Sequence, residues 1–154
     1  MIASAQTLRF YRPIEPFFER TKYNGYTFGL GPAGYDIRIA EHREMYPGAF
    51  VLASSMEKFN MPTNLLGVVH DKSTWARQGL CVQNTVIEPG WRGYLTLELS
   101  NHGQQELTIA EGTPIAQIIF HMLDAPTNMP YSGKYQDQKA GVQNAILEFP
   151  NPKA

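Results

Sequence analysis

One cysteine, Cys81, is all this 154-residue chain has. That excludes an intrachain disulfide framework and any zinc site built from several thiolates. Net charge is also scarce: 13 basic against 14 acidic side chains leave −1, so nothing favours electrostatic capture of a nucleic acid or an anionic membrane. No apolar run is long enough to span a bilayer. The N-terminal stretch lacks the basic start, apolar centre and cleavage site of a signal peptide, so the expected location is the cytoplasm. Neither a Walker loop nor a dinucleotide fingerprint is present. His42-Arg43-Glu44 matches the His-x-Glu of zinc nucleobase deaminases, but the Pro-Cys-x-x-Cys that would complete the metal shell is missing. The four histidines are scattered without ligand spacing, so no metal ligands are assigned.

What the chain does have is punctuation. Its 13 glycines and 11 prolines cut it into short segments that read as strands: 35–39, 49–53, 65–69, 80–82, 94–99, 107–109 and 115–120. Strands at this spacing predict a mainly β fold, a distorted jelly roll or barrel with few short helices. The length suits one domain, residues 1–154. A short helix is expected over 73–79, with Ser73 as N-cap and Gly79 as left-handed stop. Ser73 and Arg77 then share one helix face. A second short helix is expected within 13–20. From Asp124 the period disappears. Aromatic rings, amides and Gly hinges there read as a disordered tail or as a lid, 124–154, that orders over a ligand.

The candidate chemistry sits on three segments. In 95–101, alternation sends Leu95, Leu97 and Leu99 to one side and Thr96, Glu98 and Ser100 to the other. Glu98 is then either a solvated strand carboxylate or, in a cleft, a general acid/base with a raised pKa. Ser73 and Arg77 read either as a cap and a surface cation or as a water-positioning hydroxyl and an anion-stabilising guanidinium. Glu88, before Pro89-Gly90, is a turn carboxylate or a base at a hairpin mouth. No Gly-x-Ser-x-Gly elbow supports a serine nucleophile.

Four stretches in order carry a resemblance: Gly34-Tyr35-Asp36-Ile37-Arg38; Lys72 to Leu80 with Pro89 to Glu98; Gly112-Thr113-Pro114-Ile115-Ala116-Gln117; and Pro130 to Gln138. Together they resemble the dCTP deaminase family within the dCTP deaminase/trimeric dUTPase superfamily. The resemblance implies a dUTPase-like jelly roll, a homotrimer with sites shared between subunits, and zinc-independent deamination of dCTP to dUTP. It implies Mg2+ held through the triphosphate and no nucleic-acid or membrane partner. Carried over by position, Glu98 is the general acid/base, Ser73 holds water and Arg77 stabilises developing charge. Lys72, Thr74, Gln117, Tyr131, Lys134 and Gln138 contact phosphates or close over them, and Thr96 and Leu97 line the base and sugar pocket.

Residues 80–87 are shorter than the deaminase hairpin and closer to that of some dUTPases, which leaves dCTP and dUTP open as substrates. Glu88 stands where the family usually has Asp, the residue whose counterpart in dUTPases activates water for attack on the phosphate chain. A dUTP diphosphatase, a bifunctional enzyme making dUMP from dCTP, and a catalytically silent nucleotide-binding trimer are the alternatives.

Overall fold

A computed structural model describes residues 1–148. The chain opens with the seven-residue helix α1 (Ala5–Tyr11), capped by Ser4, whose hydroxyl accepts from the Thr7 amide. The helix expected within 13–20 is absent; α1 lies upstream of it. Arg12 adopts a left-handed conformation that ends α1, and Pro13 and Pro16 deny the next segment two amide donors. That segment instead holds the short strand β1 (Ile14–Glu15).

Eleven further strands follow: β2 (Thr21–Tyr23), β3 (Tyr26–Gly31), β4 (Gly34–Arg38), β5 (Arg43–Met45), β6 (Phe50–Asn60), β7 (Leu65–Asp71), β8 (Leu80–Val82), β9 (Val86–Ile87), β10 (Arg92–Asn101), β11 (Leu107–Ile109) and β12 (Pro114–Met122). All seven segments read as strands from the sequence lie on strands here. The helix α2 (Ser73–Ala76) separates β7 from β8. Two corrections apply to it: the helix ends at Ala76 and residues 77–79 are turn, and Lys72, not Ser73, occupies the N-cap, with no side chain capping the helix. Ser73 is its first helical residue, so its hydroxyl is free of capping duty. Gly79 does take the left-handed conformation, φ +94°, and a Cβ there would lie 2.3 Å from the Gly103 nitrogen.

The strands form a four-stranded sheet, β1-β6-β10-β8, a six-stranded sheet, β2-β3-β4-β12-β7-β9, and a two-stranded ribbon, β11-β5. Every strand pairing between named strands is antiparallel. The larger sheets enclose one continuous apolar cluster that includes Tyr35, Ile37, Phe59, Leu97, Leu99, Ile118 and Phe120. This is the mainly β, jelly-roll-like architecture expected from the turn spacing.

Register along β6 and β10 is broken once. From Tyr94↔Lys58 to Thr96↔Ser54, β10 advances two residues while β6 advances four. The extra β6 residues make a bulge. Ser55 fastens it, its hydroxyl donating to the Glu57 carbonyl at 2.7 Å and accepting from the Leu95 amide at 2.9 Å. The bulge also carries Glu57, whose fully buried carboxylate accepts from the backbone and the guanidinium of Arg38 on the facing sheet.

Among the described residues from Asp124 onward there is no named strand or helix, yet residues 131–143 lie against the 89–96 segment. The Tyr131 amide donates to the Pro89 carbonyl, Asp137 N to Arg92 O, and Tyr94 N to Gln138 O. Gly93 (φ +146°) permits this approach, since a Cβ there would sit 2.7 Å from the Gln138 nitrogen. The last six residues of the expected 124–154 lid lie outside the described residues.

Candidate functional site

Alternation on β10 sorts its side chains. Leu97 and Leu99 are fully buried in the core, while Thr96 and Glu98 open on the other face into a cavity of about 540 Å3. Phe50 and Leu52 of β6 and residues 84–88 form further walls. Trp91 contributes apolar surface, as does Leu95, which lines this cavity rather than sharing the core side with Leu97 and Leu99 as alternation predicts, and Tyr131, Tyr135, Gln138, Gln143 and Ala145 come from the tail. The lining is thus largely apolar, with a few amides and two carboxylates, Glu88 and Glu98. That is the usual make-up of a small-molecule site.

Glu98 is the electrostatically distinctive group. Desolvation pushes its carboxyl above the ordinary carboxylate value. Its backbone is held on both sides: Gln83 N donates to Glu98 O at 2.8 Å, and Glu98 N donates to Asn84 Oδ1 at 3.0 Å. A carboxyl shifted toward neutrality on a fixed strand can both accept and return a proton.

Thr96, two residues away, is enclosed by the tail. Its hydroxyl oxygen accepts from Gln138 Nε2 at 2.7 Å and from the Gln143 amide at 3.0 Å. Gln138 Nε2 also donates to the Tyr94 carbonyl at 2.8 Å. Trp91 Nε1 donates to the Tyr135 carbonyl at 2.7 Å, and Gln136 Nε2 donates to the carbonyls of Gly90 and Tyr131. The tail therefore roofs the cavity that Glu98 faces.

Of the residues expected from the sequence, Glu88, Thr96, Glu98, Tyr131 and Gln138 line this one cavity. Leu97 does not: its side chain belongs to the core, because it points opposite to both of its neighbours. Ser73, Thr74 and Arg77 are exposed on α2 and its C-terminal turn, away from the cavity. Lys72 pairs with Asp36 of β4, and Asp36 is the register partner of Gln117 on β12. A second polar pair, Lys72 with Asp36, thus joins the start of α2 to the β4–β12 pair. Lys134 is exposed, with its ammonium 5.4 Å from the Tyr135 ring centre. Residues the sequence reading missed are Phe50, Leu52, Asn84, Tyr135 and Gln143 in the cavity, and Asp36 beside Lys72. An apolar Phe50 at a strand start offered a faint signal. The others are placed by long-range packing that has no local signature.

No group of three or more His, Cys, Asp or Glu side chains converges as a metal site among the described residues. Nor is any described helix long and apolar enough to cross a membrane.

A family model described as dCTP deaminase-like matches residues 35–123. A dUMP-forming dCTP deaminase of Corynebacterium glutamicum is 39% identical over 124 residues, 75% of this chain and 66% of that protein. The match therefore spans just under two thirds of that relative. A dCTP deaminase of Roseiflexus castenholzii is 34% identical over 167 residues, 87% of this chain and 91% of that protein. Among solved structures, the EIAV dUTPase superposes with a TM-score of 0.56 at 23% identity, over 75% of this chain and 91% of that one. A likeness at that identity speaks for the fold.

Proposed function

The chain belongs to the dCTP deaminase family, and on that premise we propose that it hydrolyses dCTP to dUTP and ammonia without zinc. The observation that carries this reading is the placement of Glu98, a partly desolvated carboxyl on a rigid strand facing a roofed cavity. Glu98 takes a proton from water, and the hydroxide oxygen bonds to the ring carbon that bears the amine. That proton passes to the ring nitrogen and stays there; the proton of the added hydroxyl then moves through Glu98 to the amine, and as the carbon–oxygen double bond forms the carbon–nitrogen bond breaks and releases ammonia. Fixed geometry and exclusion of solvent by the tail supply the orientation term.

The remaining calls on the site follow from that scheme. Ser73 holds the water and Arg77 stabilises the developing charge. Both are exposed on α2 and apart from the cavity within one chain. A homotrimer in which α2 of one subunit meets the Glu98 cavity of the next completes the set. Lys72, Thr74, Gln117, Tyr131, Lys134 and Gln138 then hold or cover the triphosphate. Mg2+ brought with the triphosphate would neutralise phosphate charge. The chain acts as one domain, with the described part of the tail from Asp124 as the lid of its site. The enzyme is cytoplasmic, with no nucleic-acid or membrane partner.

The deciding experiment incubates the protein with dCTP and Mg2+, follows nucleotides by anion exchange, and assays ammonia and pyrophosphate in parallel. Ammonia with accumulating dUTP supports the reading. Pyrophosphate release from dUTP without ammonia from dCTP replaces it with a diphosphatase, and binding without product replaces it with a silent nucleotide-binding trimer.

A second reading has its own observation: Glu88 lines the same cavity as Glu98. Two carboxylates at one site fit a bifunctional enzyme that carries dCTP through to dUMP, the activity named for the Corynebacterium relative. Its mark is ammonia and pyrophosphate in equal amounts, with a Glu88→Gln protein stopping at dUTP.

A further inference from the structure

The hairpin between β8 and β10 is short, and β8 stops pairing with β10 at Leu99↔Val82. Beyond that point β10 still needs partners on its β8 side, because an unpaired backbone group beside a cavity is costly. The Gln83 amide supplies one, donating to the Glu98 carbonyl. Past it the backbone of the hairpin leaves the ladder and a side chain takes over. Asn84 Oδ1 accepts from the Glu98 amide at 3.0 Å, and Asn84 Nδ2 donates to the Thr96 carbonyl at 2.7 Å. One carboxamide thereby bridges the two backbone groups that flank Leu97. It presents an acceptor and a donor as a peptide unit of a neighbouring strand would. Asn84 is half-buried and itself lines the cavity.

We propose that Asn84 is a positioning residue for the reaction: its carboxamide stands in for the missing strand of the short hairpin and fixes the Thr96–Glu98 segment. It acts through Glu98 and takes no part in bond making. The geometry explains the residue type. Asn is short enough to reach the adjacent strand, and its carboxamide, a group only Asn and Gln carry, sets an uncharged donor and acceptor side by side as a peptide unit does. Asp would keep the acceptor for Glu98 N but oppose the Thr96 carbonyl with a second acceptor. It would also bring a negative charge into the cavity that Glu98 faces. Ala would leave the Glu98 amide and the Thr96 carbonyl unpartnered.

The role in catalysis rests on the deaminase reading, whereas the clamp itself does not, so the test reads both. In the wild-type protein, amide exchange followed by NMR should show protected Glu98 N–H and Asn84 carboxamide protons. In Asn84→Ala, Glu98 N–H exchange should quicken by at least about tenfold. With dCTP, kcat should fall by up to about a hundredfold while KM stays within about threefold, the mark of a displaced base. In Asn84→Asp the added charge should raise the Glu98 carboxyl pKa further and move the acid limb of the kcat/KM profile to higher pH. An Asn84 carboxamide that exchanges freely in the wild type would overturn the proposal, even if Asn84→Ala cannot be folded. So would an Asn84→Ala protein with unchanged Glu98 exchange and kcat within twofold. Protection that depends on Asn84 in a protein inert toward dCTP would retain the clamp and sink only the deaminase reading.

Discussion

Gln138 donates to Thr96 Oγ1 at 2.7 Å, so the C-terminal tail is tied to the strand that carries Glu98, two residues further on. The contact joins segments 42 residues apart in sequence. It turns a stretch without periodicity into one wall of the cavity, and it makes order in the tail and geometry at Glu98 one physical matter.

Glu98→Gln is expected to lower dCTP turnover by about 10² to 10⁴, the usual worth of a general acid/base. Burial raises the Glu98 pKa in the folded protein. The base works deprotonated, so the acid limb of kcat/KM should lie above the ordinary carboxylate range. The same shift sets a sign for stability. Glu98 favours folding most below its unfolded pKa and loses that contribution as pH rises through the folded value. Glu98→Gln should therefore be as stable as the wild type or slightly more so at pH 7.5, and thermal melts at pH 4 and pH 7.5 measure this.

The proposed sharing of sites between subunits makes a complementation prediction. A Glu98→Gln protein and an Arg77→Ala protein should each be inactive toward dCTP. Mixed, denatured and refolded together, they should regain turnover, because some sites would then draw Arg77 from one subunit and Glu98 from another. Inactivity after mixing, in protein that sediments as a trimer, would count against α2 meeting a neighbour's cavity.

Cutting the chain after Leu123 should uncover Trp91. Its ring is 6% exposed and its indole N–H donates to the Tyr135 carbonyl. Tryptophan emission should shift to the red on truncation, and the apparent KM for the nucleotide should rise by about tenfold or more as the roof is lost. An emission maximum identical to that of the full chain would mean that the tail does not cover Trp91 in solution.

Arg38→Ala should cost about 3–5 kcal/mol at neutral pH, the penalty for stranding a buried charge. It leaves the fully buried Glu57 with the backbone amide of residue 38 but no counter-charge. Burial already holds the Glu57 carboxyl above its usual value, and removing the guanidinium raises it further. The deficit should thus be largest near pH 7.5 and shrink as pH falls and Glu57 protonates. Urea unfolding at pH 7.5 and pH 5.5 gives both numbers.

Much of the fold was written locally. Glycine and proline spacing marked seven of the twelve strands, because turn residues act through their own φ/ψ limits. Two-residue alternation sent Thr96 and Glu98 to one face of β10. The same rule argued against Leu97 as a pocket wall, a role taken from family position; the core holds it instead. The first helix forms upstream of the expected 13–20 segment because Ser4 caps it there and Arg12 ends it, while Pro13 and Pro16 withhold two amide donors from the expected segment.

By itself, then, the sequence determined the β architecture, the family and the absence of an intrachain disulfide framework, and it offered Glu98 as a candidate carboxylate. These rest on local propensity and on motifs of adjacent residues. Only the tertiary structure decided that the tail roofs Glu98, that Asn84 grips its strand from a shortened hairpin, and that Ser73 and Arg77 stand apart from it in one chain. Each of these depends on segments far apart in sequence packing together. Such packing is set by the summed burial of the core and by pairing of buried backbone groups, and no short window of sequence holds either.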